Sequence, residues 1–431
     1  MKNRNTQRIE EIGERTLIVG VDIAKLVHWA RFVDFRGKEV GEAISFKCDR
    51  QGFESIVSKV QEIRKLHVFR QGFDSVIIGM EPTGHYWKTL ANYLMKTTGY
   101  RVVGVNPYHT KKAKELDDNS QTKSDRKDAL TIARLVKDGR FFDPYLPQDV
   151  YAELRILTST RADAVKRCVA VKNKITAVLD EYFPEIRTVF KSLFEGKAAR
   201  HVLRNCPFPA FILAMGEDGI YTMIKQAALR TVGTKKTRQL IEAAETSVGV
   251  GYGLESAKMR LGFLLDELEM TEEHIAKIEL SMERLVIASG YAEQILSIKG
   301  IGVVMAAGFL GEVGDPLRFQ NARQIVNYAG YNLVENSSGM NKSRACISKR
   351  GRSRLRAILY QIAFAMVHNN EEMKALHQYL ISRPQNPLKK IQSLVVIAKK
   401  VITIIFNLLR KKTTYDPMLV FGAVRQEMMA A

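Results

Sequence analysis

The chain has 431 residues and a mass of 48.8 kDa, enough for roughly two to four domains. Hydrophobic residues make up 46% of it, which excludes a wholly disordered protein. The 66 Lys and Arg residues outnumber the 46 Asp and Glu residues and leave a net charge of +20, so a polyanion such as nucleic acid is the expected partner.

The sequence carries no signal for secretion or for a membrane anchor. Residues 1–16 are polar and lack the apolar stretch of a signal peptide. Residues 391–409 form the most apolar late segment, but Lys399 and Lys400 interrupt it, which predicts a buried helix and not a membrane span. The four scattered cysteines lack CxxC spacing and indicate reduced thiols without a zinc site. We therefore expect a cytoplasmic protein that does not associate with membranes.

Residues 16–107 alternate between predicted strands and helices. The apolar runs in TLIVGVDIAK, SVIIGMEPTG and YRVVGVNP predict three buried strands, the first two ending at an acid. The segment HWARFVDFRGKEV predicts two strands joined by a turn at residues 36–38. Helices are expected over residues 52–66 and 85–99, the second ending at Gly99 as a C-cap glycine. Strands alternating with helices predict an α/β layered domain.

From residue 108 onward the strand pattern fades. Residues 108–123 are expected to be a loop, residues 124–139 a helix and residues 141–147 a linker. Two long helices, near residues 151–183 and 254–288, are predicted to pair as an antiparallel coiled-coil arm with a small helical module between them.

The second long helix has an apolar seam. Its apolar residues recur at spacings of three, four and seven, which fits a coiled coil that also drives oligomerisation. Thr271 is the one break in the seam, where an apolar residue is expected. The seam residues are Leu261, Leu264, Leu268, Ile275, Ile278, Met282 and Leu285.

Residues 291–431 are predicted to be helical and hold much of the basic surplus. Residues 337–368 contain seven Lys or Arg and no acid, and residues 389–412 contain another seven and no acid. The whole pattern predicts three domains: residues 1–150, residues 151–290 and residues 291–431.

Four carboxylates are candidate metal ligands. Asp22 and Glu81 lie at or just beyond the ends of predicted strands, and Asp125 and Asp128 lie three residues apart on one face of a predicted helix. Converging carboxylates need cations between them, and hard oxygen ligands suit Mg²⁺ or Mn²⁺. Two such ions about 3.5–4 Å apart activate oxygens at a phosphodiester. Considered alone, Asp22 can be a turn residue and Asp125 a helix N-cap.

Seven motifs in chain order resemble those of one transposase family. They are GVDIAK, EPTGHYW, VNP and TKSDRKDALTIARL, then ILSIKGIGVVMAAGFLGEVGDPLRF, YAGYNLVENSSG and ISKRGRSRLRAIL. Together they are similar to the DEDD insertion-sequence transposases of the IS one-ten family, also called bridge-RNA-guided recombinases. The resemblance covers roughly residues 16–368 and gives no interpretation of the tail.

The resemblance implies a specific architecture and chemistry. The first domain would be RuvC-like, of RNase H type, and its four carboxylates would hold Mg²⁺. The last domain would supply the nucleophile Ser338, which precedes Gly339 and matches better than Ser337. Such enzymes would cut and rejoin donor and target DNA through a covalent phosphoserine. They would assemble from dimers into a tetramer and follow a noncoding bridge RNA, near the nucleoid of a bacterium or archaeon.

The residue types around Ser338 can also be interpreted without the family resemblance. A serine hydroxyl needs activation by a base or a metal, and the SSG segment contains no histidine. Ser and Gly also favour an ordinary turn. The basic residues that follow can neutralise phosphates; they are Lys342, Arg344, Lys349, Arg350, Arg352, Arg354 and Arg356.

Residues 298–302 form a second candidate phosphate contact. Their sequence, IKGIG, lies between two apolar helical stretches and is typical of a helix-hairpin-helix turn. Gly300 and Gly302 would let backbone N–H groups approach a phosphate closely. The alternative is a tight connection between two helices.

Three functions fit parts of this pattern. The first is the RNA-guided serine recombinase. The second is a RuvC-like nuclease of the junction-resolvase type, in which the carboxylates activate water and no covalent adduct forms. The third is a non-catalytic scaffold that binds nucleic acid, which leaves the four acids unexplained.

Overall fold

The computed structural model describes residues 4–65, 72–117, 125–227, 234–334, 337–338, 341–342 and 346–419. The chain divides into two compact units, Met1–Leu146 and Pro147–Ala431. The first unit is mixed α/β and the second is mainly helical, which confirms the predicted change of fold class along the chain.

The N-terminal unit is built on one six-stranded mixed sheet. Its strands are β1 (Thr16–Asp22), β2 (Val27–Val33), β3 (Ile44–Lys47), β4 (Ser75–Met80), β5 (Arg101–Val105) and β6 (Phe141–Phe142). Their spatial order is β3-β2-β1-β4-β5-β6. Neighbours β1, β4 and β5 run parallel, whereas β2, β3 and β6 are antiparallel to their neighbours.

Helices cover both faces of this sheet. They are α1 (Arg4–Glu10), α2 (Arg50–Lys65), α3 (Trp87–Thr97), α4 (Pro107–Asp117) and α5 (Asp125–Lys137). Apolar residues of α2 and α3 pack with Leu17, Val19 and Val21 on one face. Apolar residues of α5 pack with Ile18 and Ile77 on the other. The two faces follow from the alternation of side chains along each strand.

Residues 107–117 correct the predicted loop, because they form α4. The Asn106 carbonyl accepts the Thr110 N–H at 3.1 Å, and its side chain accepts the Tyr108 N–H at 3.0 Å. Pro107 occupies the first helical position, where its missing N–H is no loss. Asn-Pro is thus a helix start here.

The predicted linker over residues 141–147 is also partly wrong. Phe141 and Phe142 form the edge strand β6, with Phe141 opposite Val105. Phe141 is buried, and the guanidinium groups of Arg8 and Arg101 lie over its ring at 5.1 and 5.2 Å. An edge strand of two residues has no sequence period, so only its packing reveals it.

Two local details differ from the prediction. The turn after β2 forms, but only a single bridge from Val33 to Glu39 follows it, and the paired strand is β3. Helix α3 is capped by Thr98 and not by Gly99. The Thr98 hydroxyl and N–H both donate to the Leu94 carbonyl, at 2.7 and 3.0 Å, so no left-handed glycine is needed.

Two long antiparallel helices organise the first half of the C-terminal unit. The helices are α6 (Asp149–Tyr182), α7 (Ile186–Val189), α8 (Lys197–Asn205), α9 (Pro209–Ala227), α10 (Thr234–Glu245) and α11 (Leu254–Ala288). Ion pairs Arg161–Glu279 and Lys172–Glu272 join α6 to α11 and fix their antiparallel sense. The predicted long helices and the helical module between them are therefore confirmed.

The predicted seam of α11 lies against the same chain. Leu261 and Leu268 are buried in one core with Val171 and Ile175 of α6. Thr271, the break in the seam, is 2% exposed, and its hydroxyl donates to the Glu267 carbonyl at 2.7 Å. The helix thus satisfies this polar group itself, so the threonine does not interrupt the packing.

The second half of the C-terminal unit surrounds the largest core. Its helices are α12 (Ala292–Leu296), α13 (Val303–Val313), α14 (Ala322–Ala329), α15 (Ser353–Asn369), α16 (Glu371–Ser382) and α17 (Lys390–Lys411). The described residues between α14 and α15 include four short strands: β7 (Leu333–Val334), β8 (Ser337–Ser338), β9 (Asn341–Lys342) and β10 (Cys346–Ile347).

Helix α17 contains the most apolar late segment. Within the described chain it alone has the length and hydropathy of a membrane span, and half of that apolar window is buried inside the protein. Ile397, Val401 and Ile405 pack in the same core as Phe309 of α13. This burial is what the sequence predicted for a core helix.

Candidate functional site

Two carboxylates meet where the central parallel strands end. Val21 of β1 is opposite Met80 of β4 in the parallel register, and Asp22 and Glu81 are the next residues. Neighbouring strands lie about 4.8 Å apart, so the two residues emerge side by side. Both are half-buried, and Glu81 Oε1 accepts the Thr83 hydroxyl at 2.8 Å.

The two acids point to the sheet face that α5 covers. By alternation Asp22 shares its face with Ile18 and Gly20, which lie against α5. A Cβ at Gly20 would overlap the backbone carbonyl of Ala129, far inside the 3.0 Å that real Cβ atoms keep. Glycine therefore lets α5 lie directly on β1. Its buried residue Asp128 immediately precedes Ala129.

The structure brings part of the predicted tetrad to one region of the sheet. Asp22 and Glu81 are adjacent, and Asp128 lies on the helix that covers their face. Asp125 is the first residue of α5, but its side chain lies outside the described residues. In the part of the chain that is described, no group of three or more His, Cys, Asp or Glu is placed to hold a metal. The tetrad therefore remains a prediction.

The donor set nevertheless has the chemistry of a divalent-cation site. Asp22, Glu81, Asp125 and Asp128 offer only carboxylate oxygens, which are hard ligands suited to Mg²⁺ or Mn²⁺. Two of the four emerge from adjacent strand ends, and a third is buried at the helix that packs across them. This fit rests on the donors and their placement on the sheet.

The segment with the candidate nucleophile forms nested antiparallel strand pairs in the C-terminal unit. The outer pair joins β7 to β10, with Val334 opposite Cys346. The inner pair joins β8 to β9, with Ser338 opposite Asn341 and Ser337 opposite Lys342. We call residues 333–347 the serine hairpin. The side chains of Ser337, Ser338 and Lys342, and the whole of Arg344, lie outside the described residues.

Two family models match this chain. A model described as a transposase, of the DEDD type, matches residues 19–184. A second, described as the transposase IS116/IS110/IS902 family, matches residues 292–378. Together they cover more than half of the 431 residues, including the strand-end acids and the serine hairpin. The chain belongs to the IS116/IS110/IS902 family of transposases.

Bacterial relatives extend the similarity over most of the chain. The insertion element IS116 uncharacterized 44.8 kDa protein of Streptomyces clavuligerus is 26% identical over 93% of this chain and 96% of that protein. The transposase for insertion sequence element IS1111A of Coxiella burnetii is 25% identical over 92% and 91%. The insertion element IS110 uncharacterized 43.6 kDa protein of Streptomyces coelicolor is 22% identical over 70% and 74%. An insertion-sequence transposase rearranges DNA, so DNA is its substrate, and the DEDD type typically uses a divalent metal.

The basic residues after the serine hairpin of this transposase fall into two groups. Lys349 and Arg350 are exposed, and Lys349 has a left-handed backbone with φ of 54°. Arg354 is exposed and donates to the Ser159 hydroxyl of α6 at 2.7 Å. Arg356 donates to the carbonyl of Ala329 at 3.0 Å, which ties α15 to the end of α14. Lys349, Arg350 and Arg354 are thus exposed at the surface, whereas Arg356 makes a structural contact with the end of α14.

Arg352 belongs to the structural group and reveals a residue that sequence reasoning missed. Its Nε donates to Oε2 of Glu312 at 2.7 Å, and its guanidinium lies 5.8 Å from the Tyr328 ring centre. Glu312 is 1% exposed, and its Oε1 has no hydrogen-bond partner within the described chain. A lone acid in the apolar helix segment VVMAAGFLGEV was the signal that could have identified it.

The glycine-containing turn before α13 forms as a helix–turn–helix connection. Gly300 has a φ of 103°, and a Cβ there would lie 3.2 Å from Met366 Cα of α15. Gly302 is the exposed N-cap residue of α13, with open space around its Cα. Gly300 is therefore required by its left-handed backbone and by its close approach to α15, whereas Gly302 leaves room for a ligand. Its contact with phosphate remains a prediction.

Proposed function

We propose that this transposase cuts and rejoins DNA through a covalent bond between Ser338 and a DNA phosphate. The observation that carries the proposal is the pairing of two features within one family match. One is a carboxylate pair, Asp22 and Glu81, at the ends of adjacent parallel strands. The other is a basic serine hairpin on the other compact unit.

The number of ester bonds at phosphorus stays the same throughout the proposed reaction. The Ser338 hydroxyl loses its proton to solvent or a nearby base and forms a P–Oγ bond, while the phosphorus–oxygen bond to the leaving sugar breaks. That sugar oxygen takes up a proton. Later a sugar hydroxyl of another DNA end attacks the phosphoserine, restores a phosphodiester and releases the serine. No energy source is needed, since each step exchanges one phosphate ester for another.

Four carboxylates would hold the metal in this scheme: Asp22, Glu81, Asp125 and Asp128. The bound cation, Mg²⁺ with Mn²⁺ as the alternative, supplies charge neutralisation at the phosphate. Gly20 supports this role because it allows α5 to lie close to the strand ends. The sheet order, with β1–β3 antiparallel and β4 and β5 parallel to β1, supports a RuvC-like fold of RNase H type for this unit.

The remaining parts of the proposal concern assembly and guidance. Residues 1–150 would be the metal-binding domain, residues 151–290 a coiled-coil arm, and residues 291–431 the domain that carries the nucleophile. The two catalytic parts lie on different compact units. We propose that they combine between subunits of a homo-oligomer, dimers that assemble to a tetramer, with a noncoding bridge RNA selecting donor and target DNA.

Phosphate contacts would come from the basic C-terminal surface. The proposed contacts include the exposed residues Lys349, Arg350 and Arg354, and the turn residue Gly302. Lys342 and Arg344 extend this set by sequence. Arg352 would act indirectly, because it is already paired with Glu312. The proposed location is the cytoplasm of a bacterium or archaeon, at the nucleoid.

The test is covalent capture of DNA on the full-length protein. Labelled donor and target DNA are incubated with protein, flanking noncoding RNA and Mg²⁺, and run on a denaturing gel. Ser338→Ala should abolish the shifted band, and Ser337→Ala should retain it. Asp22→Asn should lower the rate on the order of a hundredfold or more, because it removes a metal ligand worth several kcal/mol.

The controls separate the competing mechanisms. A band that persists in Ser338→Ala but disappears in Ser337→Ala assigns the other serine as nucleophile. If cleavage persists in both variants without any adduct, water is the nucleophile and the enzyme is a RuvC-like nuclease. If omission of the RNA changes nothing, guidance by RNA is wrong while the serine chemistry stands.

A further inference from the structure

The outer face of α15 carries exposed aromatic side chains. Tyr360 and Phe364 are 39% and 52% exposed, and Arg354 and His368 are also exposed. The spacing from residue 354 to 368 places these four on one side of the helix. The opposite side is buried and packs in the core through Leu355, Leu359, Ile362, Ala363 and Met366. We call the exposed set the α15 face.

Exposure of single apolar residues is common and would mean little alone. The composition of the sequence segment that contains this face distinguishes it. Residues 337–368 contain seven Lys or Arg and no Asp or Glu. By contrast Phe263 of α11, which is 67% exposed, lies in a segment rich in acids, with Asp266, Glu267 and Glu269 nearby in sequence. Aromatic rings within a basic, acid-free segment fit a polyanion with stackable groups.

The geometry of the rings supports stacking on bases. His368 packs against Phe364 with ring centres 4.5 Å apart, and its Nδ1 lies 2.8 Å from the Phe364 carbonyl oxygen. This contact holds the Phe364 ring from one side and leaves half of it open. Tyr360 and Phe364 are about 6 Å apart along the helix axis, close to two nucleotide rises of about 3.4 Å.

We propose that the α15 face binds unpaired bases of the DNA that this transposase cuts, because DNA is the substrate of the family. Tyr360 and Phe364 stack on the bases, and Arg354 pairs with the backbone. Bases inside a duplex hide their faces, so exposed rings can stack only where a strand is unpaired. The inference rests on the function proposed above. Helix α15 begins six residues after the serine hairpin ends, so the two elements are neighbours along the chain.

The experiment measures binding of the full-length protein without divalent cation, so that no chemistry occurs. The probes are short mixed-sequence oligonucleotides: single-stranded DNA, single-stranded RNA and the matching duplex. Phe364→Leu should weaken single-strand binding roughly tenfold, because one base–aromatic stack is worth about 1–3 kcal/mol. Duplex binding should be unchanged. Single-stranded DNA should show this loss, and a loss confined to single-stranded RNA would overturn the assignment to DNA.

Two further variants sharpen the test. Phe263→Leu is the matched control, and it should leave all binding unchanged. The dependence on salt separates stacking from charge. In a plot of the logarithm of the binding constant against the logarithm of the salt concentration, Phe364→Leu should lower the whole line without changing its slope. Arg354→Gln should reduce the slope by about one. Thermal unfolding midpoints equal to the parent would show that each variant is folded.

Several results would overturn the inference. These are unchanged single-strand binding in Phe364→Leu, an equal loss on duplex DNA, or an equal loss in Phe263→Leu. The covalent capture assay keeps the two proposals apart. Loss of the adduct in Ser338→Ala together with unaffected binding in Phe364→Leu would leave the proposed function standing and remove this surface. An adduct that survives Ser338→Ala together with lost single-strand binding in Phe364→Leu would remove Ser338 as the nucleophile and leave the α15 face standing.

Discussion

The pair of Glu312 and Arg352 is the most consequential contact at the scale of single residues. The carboxylate is 1% exposed and has one oxygen bonded to Arg352 and the other without a partner in the described chain. Arg352 is the residue just before α15, and its N–H donates to the Tyr328 carbonyl at 3.0 Å. The pair therefore fixes the segment that connects the serine hairpin to the core.

Replacement of Arg352 should show how much free energy the burial of the Glu312 carboxylate costs. Arg352→Met leaves a buried carboxylate unpaired and should destabilise the protein by about 3–5 kcal/mol, whereas the double variant with Glu312→Leu should recover most of that loss. Urea unfolding measures both. The control is Arg354→Met, whose partner is an exposed hydroxyl and which should change stability by under about 0.5 kcal/mol. Equal losses in the two arginine variants would contradict the structural role.

His28 makes a second prediction at this scale, through pH. The residue is fully buried between Phe46 and Phe53, its Nδ1 accepts the Ala24 N–H at 3.2 Å, and its Nε2 has no partner within the described chain. Burial lowers the pKa of His28 below its ordinary value of 6.5. The folded protein therefore keeps the ring neutral under conditions in which the unfolded chain protonates it.

The sign of the pH effect follows from that shift. The contribution of the neutral His28 ring to the free energy of unfolding is fully present above about pH 6.5. It is lost as the pH falls toward the folded-state pKa, by up to about 1.4 kcal/mol per pH unit. His28→Phe should remove this part of the pH dependence, because the new ring suits an apolar site and does not titrate. Unfolding free energies at several pH values from 7 to 5 test it. Parallel curves for the parent and the variant would refute the assignment.

At the scale of elements, the packing of α5 on β1 decides whether the acids can meet. The strands place Asp22 and Glu81 side by side by their register, and α5, which carries the proposed ligands Asp125 and Asp128, lies directly on the sheet. Gly20 permits that approach through its missing side chain. Gly20, which has no side chain, thus influences where α5 and its two candidate ligands lie.

Gly20→Ala should therefore impair both folding and cleavage. The added methyl group would overlap the Ala129 carbonyl and push α5 away, which costs about 1–3 kcal/mol or more. Cleavage should fall further than stability explains, since the displaced helix carries two proposed ligands. Gly99→Ala is the matched control, because a Cβ there has nothing within 4 Å. Unfolding and cleavage assays should show Gly99→Ala close to the parent, and a Gly20→Ala protein of full activity would disprove the coupling.

At the scale of the whole molecule, the chain carries a net charge of +20, which favours binding to nucleic acid. Many lysines and arginines of the chain are paired with acids, as in Lys59–Glu62 and Lys277–Glu273. Residues 389–412 differ, since this run has seven basic residues and no acid of its own. The number of phosphates contacted should depend on where charge is concentrated and not only on its total.

Charge-matched variants test this distinction. Replacing three exposed lysines of the run with Gln should reduce the log–log salt slope for duplex DNA by up to about three, since each contacted phosphate contributes about 0.9. The residues are Lys390, Lys411 and Lys412. The control removes the same charge from three lysines that are paired with acids and should leave the slope nearly unchanged. These are Lys59, Lys137 and Lys277. Equal slopes in the two triple variants would show that only net charge matters.

Local patterns in the sequence were sufficient for much of this protein. Strands β1, β4 and β5 and helices α6 and α11 follow from apolar runs and periods, because burial of one face imposes the period on the chain itself. The adjacency of Asp22 and Glu81 also follows from sequence, since the carboxyl ends of parallel strands share one edge. The family motifs, and with them the transposase function, depend on residue identity alone.

Only the tertiary structure decided the contacts between segments that are distant in sequence. Strand β6 is two residues long and exists because β5 offers it an edge. Arg352 looks like a phosphate ligand by composition, yet it neutralises Glu312, forty residues away. Such contacts carry no local period, because their energy arises when two separate parts of the chain exclude water together.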